Sequence, residues 1–207
     1  MKETDNSKLL RQVRLYYAFC TIKDKPITPK KAMLEAYIKS HRTFERDLID
    51  LRDAGVVNAV YDRHKKGLVF YRCEFDESVT GARRSRLKHL NRLCTVMVGL
   101  DQFGMEEYFE ISEYPEDYIR NGEPFSFPDI IAQYEALFPD ASIRTRQRDF
   151  QILNRVGKYS CLHNEFMEEP DFEIKYDKKY KAYIFFIYQT NSYNETRYIY
   201  EVKMIDG

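Results

Sequence analysis

The sequence predicts an α+β fold of two tandem domains, each made mostly of helices and closed by a β-hairpin. The first observation behind this prediction is a repeat: residues 40–55 return 102 residues later as 142–157, with seven of sixteen positions identical. Both copies have the spacing of an amphipathic helix, and β-prone runs follow both. At 207 residues the chain is also long enough for each half to bury its own core.

The first half contains three predicted helices. Apolar residues recur at helical spacing over residues 7–20, and two prolines then interrupt the pattern. The second helix, at 29–39, has a capping threonine and a proline at its start. The third, at 41–54, follows Ser40, a good N-cap residue. It ends before Gly55, which readily takes the left-handed backbone conformation that terminates helices.

A β-hairpin is predicted to follow these helices. The β-prone runs 56–61 and 68–75 flank a polar, basic turn. Three helices followed by a hairpin is the order of a winged helix-turn-helix, so we assign residues 1–76 to a first domain of this type. Periodicity is then lost around Gly81, and residues 77–83 are predicted to form the linker.

The second half, 84–207, repeats this order with additions. Helices are predicted at 85–100, 128–138 and 143–156. An insertion at 101–126, rich in glutamate and tyrosine, separates the first two of them. Strand-like runs follow at 158–162, 172–176 and 183–188, and a further run at 197–205 has no counterpart in the first half.

Charge is unevenly distributed although the formal net charge is zero. Residues 81–99 carry five basic and no acidic residues, and residues 141–163 carry five basic and one acidic. Residues 100–140, by contrast, carry one basic and eleven acidic residues. Positive charge near the repeated helices suits a polyanionic partner, whereas zero net charge argues against a protein that coats nucleic acid with its whole surface.

Several classes of protein are disfavoured. No apolar run approaches the roughly 18 residues of a membrane span, and the first residues are polar, so we expect a cytoplasmic protein without a membrane partner. The four cysteines are far apart, without a Cys-x-x-Cys pair, and are expected to be reduced thiols. Because no phosphate loop, nucleophile elbow, paired-carboxylate motif or histidine cluster occurs, we expect neither an enzyme nor a cofactor or metal site.

The repeated helix suits DNA on physical grounds. Its first turn combines unpaired backbone N–H groups, the positive end of the helix dipole, and Ser, Arg and Thr side chains that donate hydrogen bonds to phosphate. Arg42 and Arg46 lie one turn apart on one face, as do Arg144 and Arg148. Either pair has the reach to contact guanine edges or phosphates in a major groove.

The first copy, Ser-His-Arg-Thr-Phe-Glu-Arg-Asp-Leu-Ile-Asp-Leu at residues 40–51, resembles a known signature. It is similar to the recognition helix of DeoR-like and WYL-regulator winged-helix domains, Ser-x-x-Thr-apolar-x-Arg-Asp-Leu-x-x-Leu. The resemblance implies a sequence-specific double-stranded DNA-binding protein that regulates transcription. It places Arg42, Thr43 and Arg46 against DNA and the hairpin turn 63–66 near the DNA backbone.

The predicted DNA-binding residues lie on the two repeated helices and in the turns of the hairpins that follow them. The second copy departs from the signature at Arg146, where the family has an apolar residue, and Ile143 or Ile152 is expected to fill that place. The predicted residues are Ser40, His41, Arg42, Thr43, Arg46, Arg63, Lys65, Lys66, Arg144, Thr145, Arg146, Arg148, Lys178 and Lys179.

Other functions remain open from the sequence. The acidic, aromatic insertion 101–126 suits a basic protein partner, which would make the chain a tandem winged-helix adaptor or inhibitor. Tandem winged helices also resemble plasmid-type replication initiators. The run 197–205, which has no predicted pairing partner, is a candidate edge strand for a homodimer.

Overall fold

The computed structural model of this chain has an α+β fold that is mostly helical. Its described part contains six α-helices and three antiparallel pairs of β-strands. None of the helices in that part is long and apolar enough to cross a lipid bilayer. The described residues are 3–22, 26–101, 119–120, 123–124, 130–159, 170–177 and 182–187.

The chain divides into two compact units between Thr95 and Val96. In the first unit, three helices are followed by a hairpin, as predicted, and this order is consistent with one winged helix-turn-helix-like unit. The elements that begin in it are α1 (Glu3–Thr21), α2 (Pro29–Glu35), α3 (His41–Asp53), β1 (Asn58–Asp62), β2 (Gly67–Tyr71) and α4 (Gly81–Asp101).

Helix α4 begins earlier than predicted. It starts at Gly81, whereas the sequence pattern starts the corresponding helix at residue 85. Its residues through Thr95 belong to the first compact unit, so the units divide at a different place from the linker predicted at 77–83. The two predicted domain ranges stay a prediction.

Helix α2 is shorter than predicted because of the backbone conformation of the turn that follows it. It ends at Glu35 rather than at about Lys39, and Tyr37 takes a left-handed φ of 54°. The N–H of Ile38 then donates to the carbonyl of Met33 at 2.8 Å, which closes the helix end in the manner of a Schellman motif. This turn leads into α3, which begins at His41.

The hairpin is attached to the helices of the first unit. The N–H of Leu68 in β2 donates to the carbonyl of Ile27 at 2.8 Å, which gives β2 a second neighbour besides β1. The rings of Phe19 in α1 and Phe70 in β2 lie 5.0 Å apart. The hairpin is therefore a fixed part of this unit and holds its turn in a defined position.

The core of the first unit is formed by the apolar sides of α1, α3 and α4. Cys20 and Cys94 lie in this core as free thiols, as predicted, and burial raises the pKa of the Cys94 thiol well above its ordinary value. The side chains with no solvent exposure include Val13, Leu15, Phe19, Leu51, Leu87, Leu90 and Leu93.

The second unit contains a helix pair and a hairpin whose bounds lie within two residues of the predictions. The strand predicted at 158–162 is not confirmed, since Lys158 is the C-cap residue of the preceding helix. A short strand pair also lies within the predicted insertion. The elements are β3 (Ile119–Arg120), β4 (Glu123–Pro124), α5 (Ile130–Leu137), α6 (Ile143–Gly157), β5 (Phe172–Asp177) and β6 (Ala182–Ile187).

Three predictions fall on other parts of the chain. Most of the insertion 101–126 lies outside the described residues, as do Lys178 and Lys179. The additional strand predicted at 197–205 also lies outside them.

Helix α6 and strand β5 approach each other closely. The amide of Asn154 donates to the carbonyl of Ile174 at 2.9 Å and accepts from the N–H of Ile174 at 2.5 Å. The N–H of Asp171 donates to the carbonyl of Gly157 at 2.7 Å. A Cβ atom at Gly157 would overlap with the carbonyl oxygen of Phe172. Gly157, the last residue of the second copy of the repeat, is thus required for the backbone contact between α6 and the hairpin of the second unit.

We expect Gly157→Ala to lower the free energy of unfolding by about 2–3 kcal/mol, because the added methyl group forces α6 and β5 apart. The matched control is Gly81→Ala, where φ is 62° but no atom lies within 4 Å of the added Cβ. Its cost should be about 1 kcal/mol, from backbone strain alone. Urea unfolding of both variants, followed by circular dichroism, measures the difference. Equal losses would contradict the steric argument.

Candidate nucleic-acid interface

Helix α3 has two faces of different character. Its inner face buries Phe44 and Leu51 against the core. Its outer face, defined here as Arg42, Glu45, Arg46 and Ile49, follows the i, i+3, i+4, i+7 spacing and is exposed. The inner face also buries three aspartates at three-residue intervals, which we call the acidic row: Asp47, Asp50 and Asp53.

Asp47 is held by the first helix. Arg11 donates to its two carboxylate oxygens, from Nε at 2.6 Å and from Nη2 at 3.1 Å. The amide of Gln12 adds a hydrogen bond at 3.0 Å. Since Asp47 has no solvent exposure, this two-point pairing with an arginine supplies the partners that water would otherwise provide.

Asp50 joins three elements. It accepts from Lys8 at 2.7 Å and from Gln12 at 2.7 Å, both on α1. From α4 it accepts from Arg83 and Arg86, each at 3.0 Å. Burial acts to raise the pKa of Asp50, but the hydrogen bonds from Lys8 and Gln12 and the charge of Arg86 lower it from 3.8 to about 2. The carboxylate is therefore ionised and binds α1 and α4 to α3.

Asp53 and the end of α3 complete this arrangement. Arg83 reaches Asp53 at 2.7 Å as well as Asp50, and these hydrogen bonds raise the pKa of the Arg83 guanidinium. Asn91 of α4 donates to the carbonyl of Ala54, the C-cap residue of α3, at 2.8 Å. Two of the five basic residues noted at 81–99, Arg83 and Arg86, are thus paired with the inner face of α3.

The arginines on the outer face of α3 are exposed to solvent. Arg42 and Arg46 are exposed, and neither guanidinium has a hydrogen bond or ion pair within the described parts of the chain. Among the other predicted contacts, Ser40 and His41 are exposed and Thr43 is partly exposed. Ser40 occupies the N-cap position, but its side chain makes no capping hydrogen bond.

The hairpin turn presents three more predicted cations. Asp62 shapes the turn, since its carboxylate accepts from the backbone N–H groups of Lys65 at 3.0 Å and His64 at 2.8 Å. The hydrogen bond from Lys65 lowers the pKa of Asp62. Lys66 then takes a left-handed φ of 52°. The side chains of Arg63, Lys65 and Lys66 all extend into solvent.

Helix α6 in the second unit resembles α3 in having an exposed arginine directly followed by a buried aspartate. Asp149 has no solvent exposure and accepts from the hydroxyl of Tyr134 at 2.7 Å. Ser142 caps the helix by accepting from the N–H of Thr145 at 3.1 Å. Its outer face, defined by the same spacing, consists of the exposed residues Arg144, Gln147, Arg148 and Gln151.

Arg146 differs from the other predicted contacts. Its guanidinium forms an ion pair with Glu135 of α5, and the side chain is only 12% exposed. Of the two isoleucines expected to compensate for this departure from the signature, Ile152 is buried whereas Ile143 is 64% exposed. The structure therefore brings Arg144 and Arg148 together on an open face, with Thr145 partly exposed beside them.

Sequence reasoning missed the acidic row and its partners. Its members stand at i, i+3 and i+6 on the side of Phe44, which was a usable signal that they face inward. Their partners were harder to find, because Lys8 and Arg11 precede the row by more than 30 residues and Arg83 follows it by about as many. Within the described ranges, no group of three or more histidine, cysteine or acidic side chains has a metal-binding arrangement.

Comparison of the chain with protein-family models, curated proteins and solved structures found no match.

We expect Asp50→Asn to lower the free energy of unfolding at neutral pH by about 2–4 kcal/mol, because it leaves Lys8, Arg83 and Arg86 facing a neutral amide. The pKa of Asp50 is depressed in the folded protein, so its contribution is present above its ordinary value of 3.8 and is lost as pH falls toward about 2. The difference between the two proteins should therefore shrink over that interval.

Urea unfolding of wild type and Asp50→Asn across this pH range measures the effect. Asp140→Asn is the matched control, since Asp140 is exposed and has no hydrogen bond or ion pair within the described residues. A difference that does not change with pH would contradict the charge argument.

Proposed function

We propose that this protein binds double-stranded DNA in a sequence-specific manner and regulates transcription. In this proposal the chain carries two winged helix-turn-helix domains, whose recognition helices are α3 and α6. The segments proposed to enter major grooves are those predicted from the sequence, residues 41–54 and 143–156.

The observation that carries the proposal is the outer face of α3. Arg42 and Arg46 are one helical turn apart, about 6 Å along the axis, and neither is paired within the described residues. The acidic row fixes the opposite side of the same helix to α1 and α4. Because the helix is already held in place, binding requires ordering only of the two side chains, and the planar guanidinium group is suited to bidentate contacts with guanine or phosphate.

The hairpin supports the same function. Its turn carries Arg63, Lys65 and Lys66 in solvent, and the strands behind it are attached to the helical body through Leu68. A positively charged turn next to a recognition helix is suited to phosphates that flank the groove.

The second recognition helix is supported by the recurrence of one local arrangement. Arg148 is exposed and Asp149 is buried, as are Arg46 and Asp47 in the first copy. We include Arg144, Thr145 and Arg148 in the proposed interface. Lys178 and Lys179 remain candidates from the sequence alone. Arg146 is left out because it is paired with Glu135.

Selection of bound sequences from a random duplex pool, followed by titration of the best duplex, tests the function directly. We expect Arg42→Ala and Arg46→Ala each to weaken that complex by about 1–3 kcal/mol, because each removes a charged contact in the groove. The matched control is Arg72→Ala, an exposed arginine at the end of the hairpin opposite its turn and outside both recognition helices, which should change affinity little. If no duplex is enriched, or both α3 variants bind like wild type, the proposal fails.

The hairpin turn has a different expected effect. Lys66→Ala should weaken binding to all duplexes by a similar factor and reduce the magnitude of the salt slope by about 1, because a phosphate contact carries no base information. Titrations of cognate and unrelated duplexes at several salt concentrations measure both quantities. Loss of discrimination between the duplexes would instead assign Lys66 to base contacts.

A further inference from the structure

We propose that the two recognition helices prefer different bases, so that the protein binds a site of two unlike halves. This inference rests on the proposed function and deepens it. On α3, Glu45 selects cytosine and Ile49 favours thymine, whereas on α6 Gln147 and Gln151 select adenine.

The two outer faces can be compared position by position. Two of the four positions are the same, since Arg42 corresponds to Arg144 and Arg46 to Arg148 at the repeat distance of 102 residues. The other two positions differ in chemistry. The pairs are Glu45 with Gln147 and Ile49 with Gln151.

Glu45 gives α3 a strong restriction. An ionised carboxylate only accepts hydrogen bonds and is repelled by phosphate, so in a major groove it favours the N4 amino group of cytosine. Glu45 is exposed and has no partner within the described residues, and it lies between Arg42 and Arg46 on the same face. The flanking arginines fit guanine O6 and N7, which makes α3 a reader of G·C pairs.

Ile49 adds an apolar contact at the far end of that face. Its side chain is 45% exposed, although isoleucine is usually buried in a helix of this kind. The C5-methyl group of thymine is the one apolar feature on the major-groove edge of the bases. An isoleucine one turn beyond Glu45 is therefore matched to a thymine next to the G·C pairs.

Helix α6 presents amides instead. Gln147 and Gln151 are exposed, one turn apart, and have no hydrogen bond within the described residues. A glutamine side chain both donates and accepts, which fits adenine N7 and N6 in a bidentate manner. Arg144 and Arg148 occupy the same positions on α6 as Arg42 and Arg46 on α3. Helix α6 should therefore recognise guanines at a similar spacing, but with adenines between or beside them.

Glu45→Gln tests the inference, because it replaces the carboxylate by the amide that stands at the corresponding position of α6. Selection from a random duplex pool should show cytosine replaced by adenine at one position of one half-site, with the other half-site unchanged. The preference at that position should change by about 5- to 140-fold, as expected for one bidentate contact. The reciprocal change, Gln147→Glu, should introduce cytosine in the other half-site.

The control is Glu74→Gln, which alters the net charge equally at an exposed residue away from the outer faces. It should leave the selected sequence unchanged, and circular dichroism should confirm that all variants fold. A wild-type site with two identical halves would overturn this inference, as would a Glu45→Gln site equal to that of wild type. Both results leave duplex binding intact, whereas failure to enrich any duplex overturns the proposed function as well.

Discussion

The first unit depends on the neutralisation of three buried carboxylates on the inner face of α3. A carboxylate without solvent must be paired, since an isolated ionised group in the interior costs several kcal/mol. The acidic row meets this requirement with cations from α1 and α4, and Gln12 bridges Asp47 and Asp50. The same contacts that satisfy these charges therefore fix the position of α3 relative to the two helices that flank it.

The need to pair buried carboxylates explains the structural role of the Arg-Asp pair that occurs in both copies of the repeated helix. Neighbouring residues on a helix point about 100° apart, so one member faces solvent while the other faces the core. Asp47 is paired with Arg11, whereas Asp149 accepts a hydrogen bond from the hydroxyl of Tyr134. In both copies the aspartate thus faces the core, whereas the arginine beside it faces solvent.

The two repeated helices, together with α5 and the hairpin of the second unit, could be predicted to within two residues because their signals are local: caps, glycines and apolar spacing. Predictions failed where the deciding interaction is not local. The end of α2 depends on a left-handed Tyr37, a conformation that its residue type does not suggest. The predicted site residues on α3 are exposed, but the acidic row behind them was missed because its partners lie far away in the sequence.

The basic segment at residues 81–99 has a largely structural role, because several of its charges are paired within the protein. The sequence alone predicts that residues 81–99 contribute positive potential for a polyanion. In the structure, Arg83 and Arg86 face the acidic row and Arg84 pairs with Glu77. A charge that is already neutralised releases few counterions from DNA. In the proposed function, these three arginines therefore add little to the electrostatic attraction to DNA, which comes from the exposed Lys88 and from the cations of the outer faces and the hairpin turn. In the proposed function, sequence preference is set by which base each exposed side chain fits, so the differences between the two outer faces would determine which sequences are bound.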